Sequence, residues 1–256
     1  MIKAFKNPRI LFGTIFMLFL VTLALAAPYI APKSPTAIAP RDSAQPPNLS
    51  HWFGTDILGR DVLSRVIFGA RYSLVLGLTA VAISSTLGTV FGLISGYAGG
   101  YIDALIMRIV DVSLAFPSVL LALLVIAIIG PGLSSVIIAI GVASTPPFVR
   151  LIRGSVLSIK EERFVESAKA IGASNTRIVF RHILPEVFAP AITMATLRLA
   201  GAIFSASSLG FLGFGAQPPT PEWGVMVAAA RHQMQSAWWV STFSGLAILI
   251  SVLSIN

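Results

Sequence analysis

The chain has 256 residues, 55% hydrophobic and only 11% charged, with a mean hydropathy of +0.86. A soluble domain carries roughly 25% charged residues, so the composition excludes a water-solvated globule and requires lipid as solvent. The formal charge of +8 comes from Lys and Arg placed between apolar stretches, which argues against a nucleic-acid partner and for loops on the cytoplasmic side of a membrane. The absence of cysteine excludes disulfides and thiolate metal sites.

A bilayer core of about 30 Å takes about 20 apolar helical residues at about 1.5 Å each. Residues 10–32 give a first span, preceded by Lys3, Lys6 and Arg9. A cleaved signal peptide ending near Ala24-Leu25-Ala26 is the alternative, and it would leave the remaining spans in the same orientation. The outside loop that follows holds Lys33, Arg41, Arg60, Arg65 and Arg71, which Asp42, Asp56 and Asp61 can pair. Within it Asp61 and Arg65 stand at i,i+4, and Val62, Leu63, Val66 and Ile67 share a face. This predicts an interfacial helix leading into the membrane.

Residues 72–102 give a second span. The stretch 112–149 carries no charge for 38 residues, about 57 Å of helix and too long for one crossing. Gly130-Pro131-Gly132 punctuates its middle and divides it into a third and a fourth span. Residues 187–221, interrupted by Arg198, give a fifth. Residues 238–255 give a sixth, with Trp238 and Trp239 as interface aromatics. Six spans place both termini on one face together with the basic segment 150–185, the cytoplasmic face by charge. The predicted fold is therefore an all-α membrane protein with six transmembrane helices: residues 1–71 form an anchor span and outside loop, and 72–256 form the core.

Segment 150–185 is the most informative. Ser158 and Glu161 have capping-box spacing and predict a helix start. Phe164, Val165, Ala168 and Ile171 recur at helical spacing against Lys160, Glu161, Glu162, Arg163 and Lys169. Gly172 fits a C-terminal cap, Ser174 or Asn175 can start a second short helix, and Pro185 interrupts the pattern before span five. The pattern fits a rigid knob outside the membrane, and equally a helical loop lying on lipid headgroups.

Here the residues resemble a known family. Glu166-Ser167-Ala168, then Gly172, then Leu184-Pro185 look like the "EAA…G…I-x-LP" loop of binding-protein-dependent ABC importer permeases. Ser167 and His182 depart from the general pattern, although a His before Ile-Leu-Pro is similar to the peptide-transport branch. The block from His51 through Asp56, Gly59 to Arg65 and Gly69-Ala70-Arg71 resembles the signature before span two in peptide and nickel permeases. The segment 209–224, with three prolines and four glycines, resembles the same branch's outer loop. Such a composition cannot form a regular helix and fits the outer mouth of a pathway. The family usually continues past its last span with a polar tail, whereas this sequence stops at Asn256.

The resemblance implies a type I ABC importer permease of the dipeptide and oligopeptide permease C kind, in the bacterial inner membrane with both termini cytoplasmic. It implies a second homologous permease, two ATPase subunits carrying ATP and Mg, an extracytoplasmic solute-binding protein, and lipid as partners. Arg163, Glu166, Ser167, Ala168, Gly172, Leu184 and Pro185 would then form the coupling element that docks on an ATPase. Peptide is the implied solute, with nickel or another metal chelate as the alternative. No Gly-Lys dipeptide occurs, so no Walker A loop is present to hold ATP phosphates. The HExxH and GxSxG patterns are absent too, which predicts a conduit without an enzyme activity or cofactor of its own. A self-sufficient secondary transporter, the rival from another class, needs an intramembrane ion site and usually repeats with broken helices. The intramembrane ionisable residues Asp111 and Arg198 are candidate pathway groups. Arg198 could meet a solute carboxylate, pair with Asp111, or lie buried against a partner subunit.

Overall fold

Lipid offers no hydrogen bonds to an open backbone, so a chain of this composition satisfies its own peptide groups by forming helices. A computed structural model describes residues 8–255, and every regular element among them is helical. In order these are α1 (Pro8–Ile30), α2 (Val62–Ala98), α3 (Gly100–Ala115), α4 (Ser118–Ile129), α5 (Leu133–Ala143), α6 (Thr145–Ile159) and α7 (Arg163–Ala170). Next come α8 (Asn175–Ile178), α9 (Leu184–Phe211), α10 (Trp223–Ala230) and α11 (Trp238–Ile255). Lys3 and Lys6 of the basic N-terminal segment lie outside the described residues.

Among the described residues five helical stretches are long and apolar enough to cross a membrane: Gly13–Ile30, Val62–Ala98, Leu133–Ile159, Asn175–Phe211 and Trp238–Ile255. A sixth is the pair α3 and α4, taken as one span bent by 102°. The bend falls at Phe116, which is extended (φ −97°, ψ 144°) because the following Pro117 disfavours helical backbone before it. The expected third span therefore begins earlier than residue 112 and is broken within. The Gly130-Pro131-Gly132 division holds, separating α4 from α5. The expected interfacial helix is not a separate element, because residues 62–71 are the first turns of α2.

The chain divides into two compact units, one of residues 1–78, 126–137 and 199–256, the other of residues 79–125 and 138–198. In the first, the loop 31–61 is organised around buried charge. Asp61 caps α2 by accepting from the Ser64 backbone N–H (2.8 Å) and Ser64 Oγ (2.7 Å). The Lys33 ammonium donates to His51 Nε2 (3.0 Å), and since it can only donate, His51 Nδ1–H faces Asp61 Oδ1 (2.9 Å). The expected Asp61–Arg65 pair does not form. Arg65 lies 3.8 Å from Asp56, which also binds Arg60 at 2.6 Å, and its Nη1 donates to Pro35 O. Capping and His51 leave Asp61 no free face for Arg65.

Trp239 is buried and donates from Nε1 to Thr55 O (2.9 Å), while Trp238 is half-exposed; of the two expected interface aromatics, one instead fastens this loop. In segment 209–224, residues 209–211 still belong to α9, and the irregular part ends at Glu222. Glu222 caps α10 by accepting from Gly224 N–H and Val225 N–H, each at 2.9 Å. Burial pushes its carboxyl above the ordinary range, and the two backbone donors partly oppose that shift.

The second unit is built on a close helix approach. Gly88, Gly92 and Gly96 recur every four residues on α2 and form one bare stripe, against which α6 lays Phe148, Ile152 and Val156 at the same spacing. A Cβ at Gly88 would stand 2.2 Å from Phe148 Cβ, with Phe148 backbone atoms at 3.2 Å. Gly88→Ala is therefore expected to force α2 and α6 apart and cost about 1–3 kcal/mol. It should lower the thermal midpoint in detergent, whereas Gly154→Ala on α6, where nothing lies within 4 Å, should leave it unchanged.

Candidate coupling and pathway sites

α6 continues through Ser158 to Ile159, so the expected capping box does not start a helix there. Instead Ser158 O accepts from Glu161 N–H (3.3 Å) in the turn that closes α6, and α7 begins at Arg163 after the extended Glu162. Eight residues of α7 suffice to present two faces. Val165 and Ala168 are buried, while Arg163, Phe164, Glu166, Ser167 and Lys169 are exposed. The apolar set expected from periodicity is thus divided, since Phe164 and Ile171 face outward and Ile171 is 86% exposed.

The buried face of α7 joins one apolar cluster with Leu93 of α2, Ile152 and Val156 of α6, Ile178 of α8, and Val187 and Ala191 of α9. Leu184 packs against this cluster, and Pro185 is exposed. Burying a Val side chain contributes about 1.5–3 kcal/mol, so Val165, with the smaller Ala168 beside it, holds α7 to its neighbours.

Gly172 ends α7 as expected. Its φ is +82°, its N–H donates to Lys169 O (2.9 Å), and Ala173 N–H donates to Ala168 O (3.0 Å). This is the paired bonding of a Schellman cap, which needs a left-handed residue at that position. Ser174 Oγ then caps α8 by accepting from Arg177 N–H. Pro185 does not interrupt the helical path into span five. A π-helical turn over Val179–Ile183, in which Leu184 N–H donates to Val179 O, carries α8 into α9.

The pathway candidates are not paired with each other. Asp111 Oδ1 binds Arg150 Nη2 at 2.6 Å, with both side chains more than half exposed (57% and 56%). Arg198 is exposed on α9 and has no ion pair among the described residues. A second α3–α6 contact has no counterpart in the sequence-based expectations. Asp103 accepts from Arg153 Nε and Nη2, each at 2.6 Å, and also from Ser95 Oγ. Among the described residues no group of three His, Asp or Glu side chains could hold a metal ion.

Residues 88–256 match the family of binding-protein-dependent transport system inner membrane components. The chain belongs to that family. Residues 2–47 of this permease also match the N-terminal transmembrane domain of oligopeptide transport permease C. It is 46% identical over 251 residues to the dipeptide transport system permease DppC of Alkalihalophilus pseudofirmus, covering 98% of this chain and 83% of that one. It is 45% identical to the di/tripeptide transport system permease DppC of Pseudomonas aeruginosa, with 98% and 84% covered. Against the glutathione transport system permease GsiD of Escherichia coli it is 47% identical, with 95% and 81% covered.

Among solved structures, an inward-facing form of the MetNI methionine ABC transporter matches 74% of this chain and 91% of its own. The TM-score is 0.60 at 19% identity, a likeness of fold. The permease is an inner-membrane protein with the type I ABC importer fold, and its family is one of transport subunits and not of catalytic enzymes.

The two α3–α6 ion pairs differ in burial, which sets an expectation. Asp103→Asn weakens two charge-assisted bonds to an Arg153 side chain only 29% exposed and should destabilise by about 1–3 kcal/mol. Asp111→Asn loosens an exposed pair and should cost about 0–1 kcal/mol. Thermal melts of the two variants in the same detergent check the order.

Proposed function

We propose that this permease forms, with a second homologous permease, the solute path of an importer for short peptides. Two separate ATPase subunits carrying ATP and Mg drive it, and an extracytoplasmic solute-binding protein supplies it. The observation that carries this reading is the two-faced α7, whose buried side joins the cluster of α2, α6, α8 and α9 while its outer side is free. A docking element must pass motion to the spans, and a contiguous packed core is the physical means of doing so. Arg163, Glu166 and Ser167 are the docking residues; Ala168, Leu184, Pro185 and Gly172 fix the geometry of the knob.

On this reading the knob and both termini are cytoplasmic. The peptide assignment is supported by the names of the relatives, which transport dipeptides, di- and tripeptides, or glutathione. Asp111 and Arg198 belong to the pathway, since charge exposed at membrane depth needs water or a protein partner. Arg198 would there meet a peptide carboxylate.

The test uses the assembled importer in vesicles, measuring ATPase co-purification, solute-stimulated hydrolysis and uptake. Gly172→Pro removes the N–H that donates to Lys169 O and fixes φ near about −65°, so hydrolysis should be uncoupled from uptake. Gly172→Ala meets no neighbour within 4 Å but strains the backbone by about 1–2 kcal/mol, giving a milder loss. Glu166→Lys should weaken ATPase association. Normal docking, hydrolysis and uptake in Gly172→Pro and Glu166→Lys together would refute the coupling role.

In the same vesicles Arg198→Ala should lower uptake by about tenfold, one charge-assisted bond, with assembly intact. Loss of the assembled complex would instead show Arg198 to be a subunit-interface residue.

A further inference from the structure

Beside the knob lies a polar pocket of about 620 Å³ lined by Tyr97 and Ala98 at the end of α2, Lys160, Glu161, Lys169 and Asn175. The Tyr97 hydroxyl donates to Asn175 Oδ1 (2.8 Å), which leaves the Asn175 amide hydrogens unused by that bond. Lys160 Nζ reaches Gly96 O at 3.4 Å with one donor, and an ammonium has three. Among the described residues neither lysine nor Glu161 takes part in a salt bridge. The pocket thus collects unspent N–H donors, two positive charges and one negative charge. It fits a singly charged phosphate diester that carries an amine.

Two observations place that diester on a lipid. Tyr97 and Ala98 stand at the end of the membrane-crossing stretch Val62–Ala98. The polar headgroup layer borders the hydrocarbon core, and a pocket at the end of such a helix is within its reach. Below it, Ile94, Phe91 and Val90 are exposed one and two turns back along α2 from Ala98. They form an apolar stripe that leads out of the pocket into the membrane. A free phosphate has no use for such a stripe, whereas an acyl chain covers it.

We propose that this pocket binds the headgroup of a membrane phospholipid, phosphatidylethanolamine before others. Lys160, Lys169 and Asn175 hold the phosphodiester, Glu161 accepts from the headgroup ammonium, and an acyl chain lies along Ile94, Phe91 and Val90. The site rests on α2 as a membrane-crossing helix and is independent of whether α7 couples to an ATPase.

The test reconstitutes the assembled importer in nanodiscs of phosphatidylcholine mixed with phosphatidylethanolamine or phosphatidylglycerol, then identifies by mass spectrometry the lipid retained after detergent extraction. Phosphatidylethanolamine should be enriched about tenfold over phosphatidylcholine, the effect of one charge-assisted bond. Lys160→Gln with Lys169→Gln should return the ratio to that of the bulk lipid. Glu161→Gln should retain lipid but lose the preference for phosphatidylethanolamine over phosphatidylglycerol. Inorganic phosphate should fail to displace the lipid.

The proposal is overturned by bulk ratios in the unaltered importer, by enrichment that survives loss of both lysines, or by phosphate binding without lipid retention. Loss of co-purifying ATPase in the double lysine variant would also overturn it, by making the pocket part of the docking face. A failed Gly172→Pro test with lipid retention intact would count against coupling alone.

Discussion

The second unit depends on the absence of side chains at Gly88, Gly92 and Gly96. Between helices in lipid there is no hydrophobic drive to associate, because the solvent is as apolar as the side chains, and close packing must supply the attraction. A bare stripe lets α6 approach so nearly that the first carbon of any larger residue would meet Phe148, Ile152 or Val156 within 2.2–2.7 Å. The same approach brings Ile152 and Val156 into the cluster that receives α7. The position of α7 is therefore fixed by a contact made between two membrane-crossing helices.

Charge is handled differently in the two units. In the first, the loop 31–61 buries its ions in mutually satisfied sets: Asp61 with Ser64 and His51, Asp56 with Arg60 and Arg65. Breaking one partner of such a set leaves another uncompensated. The second has one such set, Asp103 with Arg153 and Ser95, but there Asp111 and Arg150 pair in the open, and Arg198 has no ion pair among the described residues. Buried pairs hold a shape, whereas an exposed pair such as Asp111–Arg150 contributes little to it.

What could be read from the sequence was local. The turn at Gly130-Pro131-Gly132 and the cap at Gly172 follow from backbone chemistry within a few residues. The apolar runs follow from the thickness of a bilayer. The contacts Asp103–Arg153 and Asp111–Arg150 span 50 and 39 residues, and no local pattern announces such distances. The stripe Gly88-xxx-Gly92-xxx-Gly96 did leave a signal, small residues at spacing four, but its partner on α6 could not be identified from it. The capping-box reading failed because α6 runs on past residue 158, a tertiary effect of Val156 being buried in the cluster. The short α10 is too brief to show periodicity, and its cap Glu222 is a buried carboxylate in a stretch read as irregular.

The π-helical turn at Val179–Ile183 accounts for the remaining misreading. The buried positions on this stretch are Ile178, Ile183, Val187 and Ala191, separated by five, four and four residues. Five residues of α-helix rotate by about 500°, leaving the second side chain about 140° off the face of the first. A wider turn, closed by the i to i+5 bond from Leu184 to Val179, cancels that offset. The extra residue is a phase correction. It resets the angular register of the chain, so that the buried face of α8 and the buried face of α9 become one continuous line.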